Sequence, residues 1–555
     1  MAQLEAREVP LHKVFCSDYD FRIPDYQRPY AWEIEQAEQL LADLEEALLR
    51  GNGEPYFLGS LVLVKGRAAE ADVIDGQQRL TTLTILLAVL RDLAQQPDVV
   101  TNLVAMIAEP GNTVLGLKAK PRLTLRPRDA DFFHQHIQTL GSIEKLLELN
   151  PHNLKTDAQR ALQANARVLH TALTTWSDDQ RLALCTLMGV QTFLVAVSTP
   201  DLDSAHRIFS VMNSRGLDLS PADIFKAQVI GEIDEEASET YATRWEDAEE
   251  TLGRDDFSDL FLHIRMIFSG ERARQELLKE FQTQVLVHYK QGRAREFVDE
   301  VLVPYAEAFA VIRDKTYSAG EGSDQVNLWF RRLLQLDNSD WWPAALWALR
   351  HHGDDPMWLG SFFRSLERLA ASMFIRRVYT TPRVQRFAEL LKELTAGGGL
   401  EAPSLQLTEA ERAETLARLD GDVYHETKTR RYILLRLDEL VAEEDVVATY
   451  DAPRITVEHV LPQNPSIPSQ WRADFTADER VRWTHRLANL VLLSRTKNSQ
   501  VQNLDFTVKK ERYLRRGVVT FPLTTQVLGQ DTWTPEHLKK RQSELLGLLT
   551  TEWRL

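Results

Sequence analysis

Cysteine is nearly absent: Cys16 and Cys185 are the only two in 555 residues. That excludes a disulfide framework and a cysteine-ligated metal centre, and it fits a reducing compartment. No run of about 18 uncharged apolar residues occurs, so no helix is expected to cross a membrane. The opening Met1-Ala2-Gln3-Leu4-Glu5 lacks a basic region followed by an apolar core. No secretory leader is read there, and a cytoplasmic location is expected. Positive charge is also in short supply, with 65 Lys and Arg against 81 Asp and Glu and a formal net charge of −16. A surface that coats a polyanion along its whole length is thereby excluded, and any such contact is local.

What is present is an ordinary globular composition, 44% hydrophobic and 26% charged. The chain is too long for one core, so two to four domains are expected. From Glu33 to Arg50 apolar residues recur at helical spacing, Tyr56–Val64 and Ala71–Asp75 read as strands, and an apolar helix runs from about Gln78 to Leu93. That alternation predicts a mixed α/β domain. From about Ala130 to Leu440 the pattern is nearly all helical, and Trp341, Trp342 and Trp347 read as helix-packing core. Gly397-Gly398-Gly399 and Glu443-Glu444-Asp445 are candidate hinges, and a last amphipathic helix is expected from about Pro535 to Thr550.

One stretch departs from the acidic balance: Trp471 to Arg516 holds 11 Lys or Arg against 5 Asp or Glu. A local basic patch is what phosphate binding requires. Just before it, Glu458-His459 ends a β-rich run, broken by Leu461-Pro462-Gln463-Asn464-Pro465, and Asn489 and Asn498 follow. An acid-His pair, then Asn, then a ligand-type residue before a helix is the order that a one-metal ββα phosphodiester hydrolase needs. His459 is the candidate base. Its second ring nitrogen must be held, and either a backbone carbonyl or the Asn489 side-chain oxygen can do so. Glu458 and Asn498 are candidate metal ligands, with Asn503 competing; their oxygens suit a hard cation, Mg²⁺ or Mn²⁺. Lys497 joins the catalytic set, and Arg486, Arg495, Lys497, Lys509 and Lys510 are the expected DNA contacts.

At the other end, Asp75-Gly76-Gln77-Gln78-Arg79-Leu80-Thr81-Thr82 stands at a strand-to-helix junction, where free backbone N–H groups and the helix dipole favour a phosphate. Gly76 permits close approach and Arg79 offers a fork of donors. A second loop, Gln27-Arg28-Pro29-Tyr30-Ala31-Trp32, combines amide, guanidinium and aromatics. A third, Met212 to Asp223, reads as a loop with Ser220 capping a helix that starts on Pro221. Arg376, Arg377, Lys428, Arg430 and Arg431 would extend a DNA track, or else form solvated helix faces.

These strings resemble a known family. Thr456 to Gln463, Leu487 to Leu493 and Lys497 to Lys510 look like the HNH (His-Me finger) nuclease domain of GmrSD-type restriction enzymes. Two positions depart from that pattern: Glu458 stands where Asp is common, and Asn498 where His is. Pro24 to Trp32, Phe57 to Ser60 and Asp75 to Thr82 resemble the GmrS-like domain. The resemblance implies a multidomain α+β chain, mostly helical. Residues 1–110 would form a ParB/sulfiredoxin-like α/β domain, 111–440 a central helical region (to about 230 associated with that domain), and 441–555 a C-terminal ββα-metal (HNH) nuclease domain. It also implies binding and hydrolysis of ATP or GTP by Gln27, Arg28, Asp75, Gly76, Gln77, Gln78, Arg79 and Thr81, with Asn213 and Arg215 touching nucleotide or a domain interface. The implied partner is double-stranded DNA, foreign phage DNA carrying modifications, and a homodimer would let two nuclease domains cut both strands. The alternative is a non-catalytic NTP-dependent DNA-binding regulator with a degenerate HNH fold.

Overall fold

The computed structural model describes residues 5–51, 54–111, 114, 118–201, 204–205, 221–442, 455–494, 503–514 and 521–555. Asn213, Arg215, Ser220, Arg495, Lys497 and Asn498 lie outside them. Two compact units emerge: Met1–Ser258 with Leu286–Val303, and Asp259–Val285 with Pro304–Leu555. The expected boundary at 110 falls inside the first unit, and the one at 440 inside the second. The chain is a multidomain α+β protein, mostly helical. Among the described residues no helix is long and apolar enough to cross a membrane.

The first unit is organised by a six-stranded mixed sheet made of β1 (Glu5–Pro10), β2 (Asp20–Arg22), β3 (Tyr56–Lys65), β4 (Glu70–Asp75), β5 (Leu123–Thr124) and β6 (Thr192–Thr199). Their order is β1-β6-β3-β4-β2-β5. β6 lies within the span expected to be helical. Thr192, Val195, Val197 and Thr199 carry β-branched side chains that fit a pleated sheet, and β6 pairs parallel with β3 and antiparallel with β1. Its partners lie more than a hundred residues earlier in the chain, so no local turn signal announces it. α1 (Ile34–Arg50) and α2 (Gln77–Leu93) pack on this sheet, and nearly every side chain of α2 from Leu80 to Leu90 is buried.

In the second unit, β7 (Ile455–His459) and β8 (Leu490–Ser494) pair antiparallel, with His459 opposite Leu490. α9 (Phe506–Leu514) follows them. The element order is therefore β, β, α. Trp471, Trp483, Phe506 and Trp533 fill the core beneath, with Val460, Leu461 and Val491. Trp341, Trp342 and Trp347 are buried in helical packing, as their spacing predicts. The last helix, α10, spans Pro535–Trp553.

Candidate functional sites

In the first unit the Asp-Gly turn and the β3 strand are built around each other. β3 shifts register between Phe57 and Ser60, where Gly59 has φ +103°. A Cβ there would lie 3.2 Å from the Arg79 guanidinium, which donates to the Ser60 carbonyl at 3.0 Å. Gly76, at φ +93°, would place a Cβ 2.3 Å from Leu61 Cδ2 and 3.2 Å from the Ser60 carbonyl. Both glycines are thus required for β3 to approach the start of α2. Gly76→Ala is expected to destabilise the unit by about 2 kcal/mol or more, from the left-handed backbone plus overpacking; thermal unfolding would read it.

No side chain caps α2. Burial raises the Asp75 carboxyl, opposed by the Gly76 N–H and then by Arg79 and Arg28. Burial likewise lowers Arg79 and Arg28. Asp75, Arg79 and Arg28 therefore share one electrostatic neighbourhood. The other expected members shape it. Gln78 accepts from the Ala31 and Trp32 amides and donates to the Pro29 carbonyl, which fixes the 29–32 loop. Gln27 donates to the Ile74 carbonyl, Thr81 bonds back to the Gln77 carbonyl, and Gln77 is buried.

Residues that motif reading overlooked complete this region. The Gln27 carbonyl accepts from Arg126 and Lys226, both buried. Lys226 reaches Glu246 at 2.7 Å, and Arg126 pairs with Glu246 and, at 2.5 Å, with Asp129. The sequence carried one signal. In the helix Pro221–Gly231 the buried face is Ala222, Phe225, Lys226, Val229 and Ile230, a lysine set in an apolar stripe.

In the second unit His459 is only 5% exposed. Its ring packs 3.9 Å, centroid to centroid, from Tyr424. One ring nitrogen, Nδ1, lies 3.3 Å from Gln463 Nε2, and the other, Nε2, lies 3.4 Å from His485 Nδ1. His485 in turn stacks near His425, at 4.2 Å. Burial first, then His485, Lys509, Arg430 and His425, pulls the His459 imidazole down to about 3. At neutral pH it is uncharged, the form that accepts a proton.

The orienting group is therefore Gln463, with His485, and not Asn489. Asn489 is wholly buried: its oxygen accepts the Leu461 amide at 2.7 Å, and its nitrogen donates to the Leu461 and Thr484 carbonyls. It pins the break after β7. Lys509, expected on the DNA surface, is also wholly buried, bonded to Glu458 at 3.1 Å and to the His459 carbonyl at 2.6 Å. Burial lowers Lys509 and raises Glu458, each effect partly offset by the partner's charge. Lys509→Met is expected to leave Glu458 buried and unpaired and to lower the stability of this unit by about 3 kcal/mol, measurable by denaturant unfolding.

The other expected DNA contacts in the described residues are engaged too. Arg486 pairs with Asp420 at 3.2 Å, and Lys510 donates to the Gln530 carbonyl. Arg376 pairs with Glu411, Arg377 with Glu426, Lys428 with Asp337, and Arg430 lies over Tyr424. Among the described residues no three His, Cys, Asp or Glu side chains converge as metal ligands. With Glu458 held by Lys509, the described donors do not by themselves fit a hard cation.

Two family models match the chain. The N-terminal domain of GmrSD restriction endonucleases matches residues 11–230, and the C-terminal domain of GmrSD restriction endonucleases matches residues 410–548. No curated protein matches it. The first match covers the sheet with the Gln27-Arg28 and Asp75–Arg79 loops, and the second covers the His459 hairpin with α9. The chain belongs to the GmrSD restriction endonuclease family.

Proposed function

We propose that this restriction nuclease cuts or nicks foreign DNA carrying modified bases or backbone, and that NTP hydrolysis in the first unit controls it. The observation that carries the cleavage chemistry is the neutral His459 imidazole, with Gln463 and His485 at its two nitrogens. In the reaction a water attacks phosphorus, His459 takes the water's proton, and one P–O ester bond breaks. The negative phosphate beside the ring favours the protonated imidazole and so strengthens the base as substrate enters. Gln463 and His485 hold the ring, and Lys509 fixes the His459 carbonyl. Mg²⁺ or Mn²⁺ is proposed as the cofactor, with Asn498 as a ligand outside the described residues; no step above is routed through it.

Support for nucleotide binding comes from the uncapped start of α2 beside Arg79 and Arg28. Asp75 is proposed to position the attacking water. Two copies of the chain acting as a homodimer would cut both strands. One observation favours the regulator with a degenerate HNH fold: the Tyr424 ring covers His459.

The test is cleavage of matched modified and unmodified phage DNA by the full chain, with Mg²⁺ or Mn²⁺, with and without ATP or GTP. Metal-dependent cutting of one modified DNA is expected. Binding without cutting under every condition would replace the nuclease reading with the regulator.

A further inference from the structure

Arg28 faces two ways. Its guanidinium interacts with Asp75 on one side and with Asp223, Arg254 and Glu249 on the other. On that second side lies a cavity of ≈ 420 Å³, within the range of about 300–1,000 Å³ that small-molecule sites occupy. Its lining holds four arginines against seven Asp and Glu. A triphosphate would meet net repulsion there, whereas a ring that presents N–H groups would not. Pro29, Ala31, Ala158 and Ala161 supply apolar wall for such a ring.

The polar groups of the cavity are nearly all engaged with one another. Arg126 takes Glu246 and Asp129 Oδ2, and Lys226 takes Glu246. One acceptor remains. Asp129 is 1% exposed, and its Oδ1 has no hydrogen-bond partner. A buried carboxylate oxygen without a donor is costly, and Asp129 also lines the cavity.

Resting on the reading that the first unit binds a nucleoside triphosphate, we propose that this cavity holds the base and that Asp129 selects guanine by accepting from its N1–H and N2–H edge. Phosphates extend past Arg28 toward Arg79 and the start of α2. Guanine offers two adjacent donors to the free oxygen. Adenine and cytosine offer one amino group, and uracil offers a single N–H flanked by two carbonyls that the carboxylate repels. A site built to pair with such donors discriminates strongly, because the wrong base leaves its buried group unpaired.

The experiment is calorimetric binding to the full chain of non-hydrolysable imido analogues of GTP, ATP and UTP, with inorganic tripolyphosphate as a fourth probe. The guanine analogue is expected to bind the wild type roughly 10–100-fold more tightly than the uracil analogue. In Asp129→Asn the amide oxygen must serve Arg126, so the amide N–H₂ faces the cavity. The guanine preference is expected to vanish or invert. A second variant avoids the ionic network: Ala161→Phe fills the cavity and is expected to weaken all three analogues at least tenfold while tripolyphosphate binds as before. Equal affinity for the three bases in the wild type would overturn the base pocket and leave nucleotide binding standing. So would a guanine preference that survives in Asp129→Asn. Binding of none of the four probes would remove both the pocket and the nucleotide reading beneath it.

Discussion

DNA cleavage by the His459→Ala protein is expected to fall by about 10²–10⁴-fold, the range that a positioned general base contributes, while nucleotide hydrolysis persists. Plasmid nicking and phosphate release, measured on the same preparation, separate the two. His459 and Asp75 belong to different compact units, so Asp75→Ala is expected to remove hydrolysis with the His459 hairpin intact. Undiminished cutting by His459→Ala would eliminate this residue as the base. The same substitution has a second consequence, in acid. Folded, the His459 imidazole titrates near 3 because it is buried among cations; unfolded, it takes a proton near 6.5. The unfolded chain therefore binds the extra proton first, and the stability of this unit is fully present above about pH 6.5 and drains away as pH falls toward 3. Without the imidazole, unfolding midpoints measured between pH 7 and 4 should decline less steeply.

Glu367→Ala is expected to be the most damaging single change to stability, costing about 3–5 kcal/mol. Glu367 lies on α7 (Pro356–Ile375) and is 1% exposed. It accepts from the Tyr432 hydroxyl and Arg436 Nε on α8 (Thr427–Val441), and from Trp553 Nε1 on α10 at 3.0 Å. Arg436 is fully buried, and its other nitrogens reach Glu439 at 2.9 Å and Glu552 at 2.6 Å. Removing the Glu367 carboxylate strands a guanidinium side and two further donors in the interior, each without water. Glu367→Gln retains an acceptor for Arg436 and should cost clearly less. Urea unfolding followed by tryptophan fluorescence compares them. A Glu367→Ala loss below about 1 kcal/mol, the scale of an exposed ion pair, would show that the network is solvated rather than buried.

Much of the local structure was legible before any coordinates. Hydrophobic spacing located α1, α2, β3 and β4 to within a few residues, and the two glycines at 59 and 76 were in the motifs that proved to need a Cβ-free approach. The Glu458-His459 pair ends a strand whose partner begins one residue after Asn489. What escaped depended on distance along the chain. β6 looks like part of a helical span until Tyr56–Val64 is laid beside it. Arg126, Asp129 and Glu246 read as ordinary helix-surface charges, because only the folded unit shows that each faces another charge instead of water. Lys509 escaped for the same reason: a lysine in a basic stretch is read as a phosphate contact until Glu458, 51 residues earlier, is found against it. Asn489 was placed at the right locus with a different partner, since an amide satisfies backbone and side chain equally well and sequence does not say which lies within reach.

The chain passes from the first unit to the second after Ser258, returns at Leu286, and leaves again after Val303. The returning segment is embedded where it lands: Phe297 packs 6.2 Å from Trp245, and Asp299 accepts from the Tyr241 hydroxyl at 2.8 Å. No single cut therefore yields two complete halves. A gene split at 258 would give a first product lacking part of its own interior, and a split at 303 would leave the second product without the segment Asp259–Val285. Separately encoded subunits could descend from this arrangement, or give rise to it, only if the thread were rewired so that each polypeptide closed on itself.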